Sequence, residues 1–233
     1  MNSVVVSPHY DDAVLSCYPG IETGSQVVTL FTGVPLHDQP SGWDLATGFT
    51  SPQEAMAARR KENRAALQGT PSTPIDLGYL EHAYRQEMPD VDQIADDILR
   101  VGSKEAVYIV AAGVSNVLRG VHPDHVMTRH VGMRLMELGH TVLFYADIPY
   151  ILPRIAYVNW PKYLQLRRSQ IEKTLGTSVA IEPNELTETQ RTRKRHALAA
   201  YASQLPLLEQ GCRGALTKPN ALRWEVIFRP VQQ

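Results

Sequence analysis

Two short stretches of the chain carry residue types that can hold a metal. Pro8-His9-Tyr10-Asp11-Asp12 offers one imidazole and two adjacent carboxylates, and His122-Pro123-Asp124-His125 offers two imidazoles and a third carboxylate. Two histidines and one carboxylate, with a position left for water, are a common catalytic zinc arrangement. Such a metal draws the pKa of a water towards about 7 and polarises a carbonyl, and a nearby carboxylate can take the proton. Asp11 and Asp12 are neighbours in a loop and can point in different directions, so one can bind while the other meets water. His122 and His125 are three apart and share a helix face, so they can serve one site without both being ligands. Taken singly, each motif is ordinary: HxxH arises by chance, and an Asp-Asp pair often just starts a helix.

Their placement gives them weight. Val4 to Ser7 reads as a short buried strand, and the first motif follows it directly. Strands are expected at Gln26 to Phe31, Pro74 to Leu77, Ala106 to Ala111 and Thr141 to Tyr145, with a last one at Arg223 to Phe228. Between them lie helices: one starting at Asp12, one from the Ser51-Pro52 cap to about Leu67, one at Val91 to Val101, and one at His122 to Leu138. Pro35 to Thr50 reads as a long loop, of the kind that often bears on function. Helix-rich stretches are expected at Pro161 to Leu175 and Thr187 to Leu208. This alternation predicts an α/β, Rossmann-like fold: a mostly parallel sheet with helices on both faces. If the strand order is 3-2-1-4-5, strands 1 and 4 are neighbours where the order reverses. The two motifs then face each other across a crevice at the carboxyl ends of strands 1 and 4. The less regular last third is expected to pack on one sheet edge and bear on the substrate.

The bulk numbers bound the function. The 233 residues suit one domain spanning 1–233. A net charge of -1 gives no general pull towards nucleic acid or anionic membrane, and the basic run Arg191 to Arg195 reads as a solvated helix face. Cys17 and Cys212 form no CxxC pair, so no disulfide framework is expected. No stretch approaches a membrane span and no signal segment is evident, which makes a cytoplasmic protein the expectation. Oligomeric state is left open by the sequence.

The two histidine motifs, in this order, resemble those of the PIG-L (LmbE-like) family of zinc-dependent N-deacetylases. The family's first motif, roughly PH-x-DD, stands here at Pro8 to Asp12, and HPDH is intact at His122 to His125. Arg59 and Glu62 match an R-x-x-E helix pattern. LGYLEHAYR at 77–85, YADIPY at 145–150 and KRHALAAYASQ at 194–204 are similar to further family segments. The resemblance implies His9, Asp12 and His125 as metal ligands and Asp11 as the general base. It implies His122 as the oxyanion partner and Asp124 as the group that orients His122. Arg59 and Glu81 are implied as substrate contacts. It also implies a small N-acetylated substrate, such as an acetamido sugar or natural-product intermediate, and zinc as cofactor. Iron(II), cobalt(II) or manganese(II) suit the same donors. The chain departs from the usual PHPDDE at Tyr10 and Ala13, a form similar to the branch with deacetylases of antibiotic pathways. The tyrosine that some members carry before HPDH is missing from Leu118-Arg119-Gly120-Val121, which leaves Arg119, Tyr10 or Tyr150 to supply its polar contact.

Alternatives are a hydrolase of another acyl amide or ester on the same scaffold, or a non-catalytic nucleotide- or small-molecule-binding protein. The second is weakened by the lack of GxGxxG after the first strand. Trp43 either packs over a substrate or anchors its loop. His130 is expected to be a surface or core histidine, His196 a structural residue as readily as one lining the substrate cleft, and Cys17 a small buried hydrophobe.

Overall fold

The computed structural model describes residues 3–103, 105–115, 120–152 and 159–231. The Val4-Val5-Val6 run forms β1 (Ser3–Ser7), completely buried at its three valines and flanked on both sides by parallel neighbours. These are β2 (Gln26–Thr29) and β4 (Val107–Ala111). β3 (Thr73–Asp76) extends the sheet beyond β2, and β5 (Val142–Tyr145) extends it beyond β4. The order 3-2-1-4-5 therefore holds. Chain leaving β1 turns towards β2, and chain leaving β4 turns towards β5, so the two connections diverge and open a crevice between them.

α5 (Val91–Val101) and α6 (Pro123–Glu137) pack together, with α6 against β4 and β5. A second group comprises α1 (Asp12–Ser16), α2 (Tyr18–Glu22), α4 (Pro52–Leu67) and α10 (Glu188–Ala199), with α1 and α2 on β1. α4 begins as the sequence predicts: the Ser51 hydroxyl accepts from the Glu54 amide and Pro52 takes the first turn. α6 lies close on the sheet because of two glycines. A Cβ on Gly132 would come within 2.7 Å of Phe144 Cε1. Gly113, at φ +55°, would set a Cβ 2.6 Å from the His125 carbonyl oxygen. No side chain fits at either place without displacing α6.

Three features go beyond the expectation. β6 (Val179–Glu185) was not foreseen; it pairs antiparallel with β7 (Trp224–Pro230), which pairs with β5. Its Pro183 argues against a strand, but β6 is the outermost strand, where a missing amide is tolerated. The helix-rich stretch expected at Thr187 to Leu208 resolves into α10, then α11 (Leu205–Gly211) after a turn. Pro206 explains the break, since its ring opposes helical continuation through residue 202. The turn is pinned by the Ser203 amide and hydroxyl donating to the Glu62 carboxylate on α4, each at 2.8 Å. Third, the long loop contains α3 (Gly42–Ala46), closed by a Ser41–Asp44 capping box. No helix among the described residues is long and apolar enough to cross a membrane.

Candidate metal centre

The turn after β1 is fixed by backbone-to-side-chain bonds. Ser7 Oγ donates to the His9 carbonyl at 2.6 Å and accepts from the Ala13 amide at 3.1 Å. The His9 amide donates to Asp12 Oδ2 at 3.0 Å. Asp11 is the N-cap residue of α1, yet its side chain caps nothing, which leaves the carboxylate to the cavity it lines. The second motif opens α6. There His122 is the N-cap, and its Nδ1 accepts from the Asp124 amide at 3.2 Å.

The crevice brings the motifs together around one oxygen. Asp12 Oδ2 lies 3.2 Å from His9 Nδ1 and 3.2 Å from His125 Nε2. Ligands about 2.0–2.1 Å from a tetrahedral zinc stand about 3.3 Å apart, so the donor set has the chemistry and the spacing of a metal site. One ligand atom from each of His9, Asp12 and His125 lies within 4.8 Å of the others. The rear nitrogen of each imidazole meets a carboxylate: His9 Nε2 is 2.9 Å from Asp124 Oδ2, and His125 Nδ1 is 2.7 Å from Asp147 Oδ1. Carboxylates in that position fix the tautomer and the ring orientation of metal-binding histidines.

A second trio, His9, His122 and Asp124, is also within reach of a common point. It fits a metal less well because Asp124 is already committed. Besides His9, its oxygens take the His82 amide at 3.0 Å and the Arg85 guanidinium at 2.5 Å. The Asp124 carboxylate also stands farther from His122 Nδ1, at 3.7 Å, than from His9. What Asp124 presents to His122 at hydrogen-bond distance is its backbone amide, and its carboxylate orients His9.

The electrostatics separate the residues. Burial alone would lower both His9 and His125, but hydrogen bonds and charge from Asp12 and the rear carboxylates win. His9 is raised well above the usual imidazole value and His125 to about 9. Burial opposes ionisation of Asp12 as well, yet the two imidazoles hold its carboxyl far below the ordinary range. Asp11 goes the other way: burial, then the charge of Asp12, push it up to about 7. His122 is depressed to about 3 by burial and by repulsion from His9, which keeps it neutral. With Nδ1 accepting from the Asp124 amide, the proton of neutral His122 sits on Nε2.

These groups line one end of a cavity of about 810 Å³ that opens to solvent. Arg59 and Glu81 line it too, but Arg59 is spent on protein partners: Nη2 on Asp44 Oδ1 at 2.5 Å, and Nη1 on both Glu81 oxygens at 3.1 and 3.2 Å. Tyr84 also donates to Asp44. Trp43 both lines the cavity and anchors its loop, donating Nε1 to Gln204 Oε1 at 2.6 Å. Of the candidates for the missing tyrosine, Arg119 lies outside the described residues. The Tyr10 hydroxyl is 3.1 Å from Asp76 Oδ2 and accepts from Arg60 Nε at 3.0 Å. Tyr150 packs edge-on against His125, with centroids 4.8 Å apart, and lines the cavity. His130 and His196 are exposed and Cys17 is buried. Sequence reasoning missed Asp147, Asp44, Tyr201 and Gln204. Asp147 had a signal, since it directly follows Ala146 at the carboxyl end of β5, beside β4.

The whole chain superposes on a deacetylase (a triple mutant) of the teicoplanin biosynthetic pathway, with a TM-score of 0.74 and 23% identity, covering 100% of this chain and 99% of that one. The fold is that of the LmbE-like deacetylases. In sequence, the chain is 24% identical over 204 residues to 2'-N-acetylparomamine deacetylase of Niallia circulans, covering 70% of this chain and 73% of the relative. No family model matches the sequence. The LmbE-like fold also carries other chemistry: the 4-carboxy-2-hydroxymuconate hydratase GalB of Pseudomonas putida KT2440 aligns with a TM-score of 0.59 and 16% identity, covering 100% of this chain and 97% of that one. The reaction must therefore be argued from the site.

Proposed function

We propose that the chain is a metal-dependent N-deacetylase that hydrolyses the acetamide of a small N-acetylated molecule, an acetamido sugar or a natural-product intermediate. One observation carries this reading: Asp12 Oδ2 stands 3.2 Å from each of two imidazoles, beside an Asp11 carboxylate that caps nothing, in a cavity open to solvent. The relatives that act on acetylated natural products support it.

His9, Asp12 and His125 would hold the metal, with zinc the first choice for a site of two imidazoles and one carboxylate. A divalent ion held there polarises the acetamide carbonyl and makes water more acidic. Asp11 accepts a proton from the attacking water as its oxygen adds to the carbonyl carbon. His122 donates from Nε2 to the carbonyl oxygen as negative charge builds on it, and its neutrality keeps that proton on the ring. When the C–N bond breaks, Asp11 returns its proton to the departing nitrogen, leaving acetate and a free amine. Asp124 and Asp147 keep the two ligand rings in register, and Trp43, Glu81 and Gln204 form the wall that meets the rest of the substrate.

The test is acetate release from a panel of N-acetylated amino sugars and aminoglycosides by metal-replete, chelated and Asp11→Asn protein. Release that disappears on chelation and in Asp11→Asn is expected. Equal release by all three preparations would overturn the proposal. A parallel series of N-acyl lengths and an acetate ester separates a deacetylase from a broader hydrolase.

A further inference from the structure

A second cavity, of about 800 Å³, shares no lining residue with the first. The chain segments that divide them face both ways: His122, His125 and Tyr150 line one, while Val121, Val126 and Ile151 line the other. The second cavity is lined by Arg129, Arg167, Tyr163, Gln170 and Thr174, with apolar residues between them, and none of its described lining residues is acidic.

Its arginines are unlike the other buried ones. Arg59 and Arg85 both sit on carboxylates, at 2.5 Å each. Arg129 gives Nη1 to the Gly113 carbonyl at 2.6 Å and meets no carboxylate within ion-pair distance among the described residues; its buried Nε, like those of Arg59 and Arg85, has no hydrogen-bond partner there. Burial depresses its pKa, and the opposing charge is Asp147, whose oxygens are taken by His125 and the Gly113 amide. Arg167 stands over the Tyr163 ring at 5.9 Å and has no carboxylate within ion-pair distance among the described residues. The sequences 116–119 and 153–158, which adjoin the lining residues Ser115 and Ile151 along the chain, contain no Asp or Glu. Two guanidiniums on one concave surface, with no acidic group among its described lining residues and no carboxylate paired with either, leave positive charge that only Asp147 offsets from a distance.

We propose that this cavity is a binding site for a small anion, a phosphate or carboxylate group held between Arg129 and Arg167, with Gln170 and Thr174 as neutral donors beside it. Guanidinium forks suit both kinds of oxyanion. The ligand site is independent of the deacetylase reading, since it shares no residue with that cavity.

The experiment is isothermal titration calorimetry of the metal-loaded full chain with inorganic phosphate and, separately, with succinate, at low ionic strength. Saturable one-to-one binding of at least one probe is expected, and which one binds tells a phosphate site from a carboxylate site. Arg167→Gln, at the cavity rim, should weaken it by about tenfold or more, the worth of one charge-assisted contact. His9→Ala, which disables the metal site, should leave it intact. Binding lost in His9→Ala but kept in Arg167→Gln would place the anion on the metal and overturn the proposal. No saturable heat with either probe, or equal weak heat in wild type and Arg167→Gln, would also overturn it. Arg129→Gln tests the buried donor, with circular dichroism to verify its fold.

Discussion

The two walls of the first cavity are built on different principles. On the metal side most groups are held from behind by a close partner: His9 by Asp124, His125 by Asp147, Asp12 by the His9 amide, and Asp124 by Arg85 and His82. The rest of the lining is gathered from α3, α4, residues 81 and 83, and the α10–α11 turn. It is joined by links such as Trp43 to Gln204, which spans 161 residues of sequence. The candidate chemical wall is thus a product of strand geometry, and the remaining wall a product of tertiary assembly. Substitutions on the two walls should therefore fail in different ways.

The largest effect is expected at the base. Asp11→Asn should lower kcat by about 10²–10⁴-fold while elemental analysis still finds the metal. Normal metal content with normal turnover would remove Asp11 from the chemical wall. Next is the tie between the walls. Lys194, on α10, donates to the Leu15 carbonyl at the end of α1 at 2.7 Å and to Glu225 at 2.6 Å, with both side chains buried. Lys194→Met should cost about 3–5 kcal/mol in urea unfolding, the usual loss when one partner of a buried pair is removed. The loss should depend on pH. Burial already raises the Glu225 pKa against the pull of Lys194, and without the lysine it rises further. An acid raised on folding carries no penalty below its unfolded pKa and a growing one as pH climbs towards its folded value, so the deficit should be larger at pH 8 than at pH 5. A pH-independent deficit would assign the loss to packing instead.

Asp147→Asn should weaken metal binding by about 10–100-fold, read by competition with a chromogenic chelator, with little change in global stability. Unchanged affinity would mean that the carboxylate does not orient His125. The smallest effect belongs to Gln204: Gln204→Ala removes its hydrogen bonds with Trp43 and Ser203, each worth about 0.5–1.5 kcal/mol, and should raise KM a few-fold with kcat retained. A fall in kcat there instead would show that the walls are not separable.

The chemical wall was legible in the sequence because its parts are local. His9 to Asp12 and His122 to His125 follow strands whose β-branched runs announce them, and strand–helix alternation points to the parallel sheet, while the 3-2-1-4-5 order, only a condition at the level of sequence, is observed in the fold. Less was visible where a role depends on a distant partner. The place of Asp147 past the carboxyl end of β5 points to the site, but nothing within Tyr145 to Tyr150 names His125 as its partner. Arg59 and Glu81, implied by the resemblance as substrate contacts, do line the cavity, but Asp44, which takes much of the guanidinium's capacity, lies in a stretch that reads as a plain loop. β6 was hidden by Pro183 and by a strand whose exposed end lacks alternation. Within the helix-rich stretch at Thr187 to Leu208, the turn between α10 and α11 is signalled by Pro206.

The anchoring of α3 has a practical corollary. Asp44 is completely buried between Arg59 and Tyr84, and the next-door Trp43 is tied to Gln204. To swing this stretch aside would strip a buried ion pair of its partner, a cost of several kcal/mol. The stretch is accordingly fixed to the rest of the cavity lining, so the shape it presents there is set by folding rather than by a moving segment.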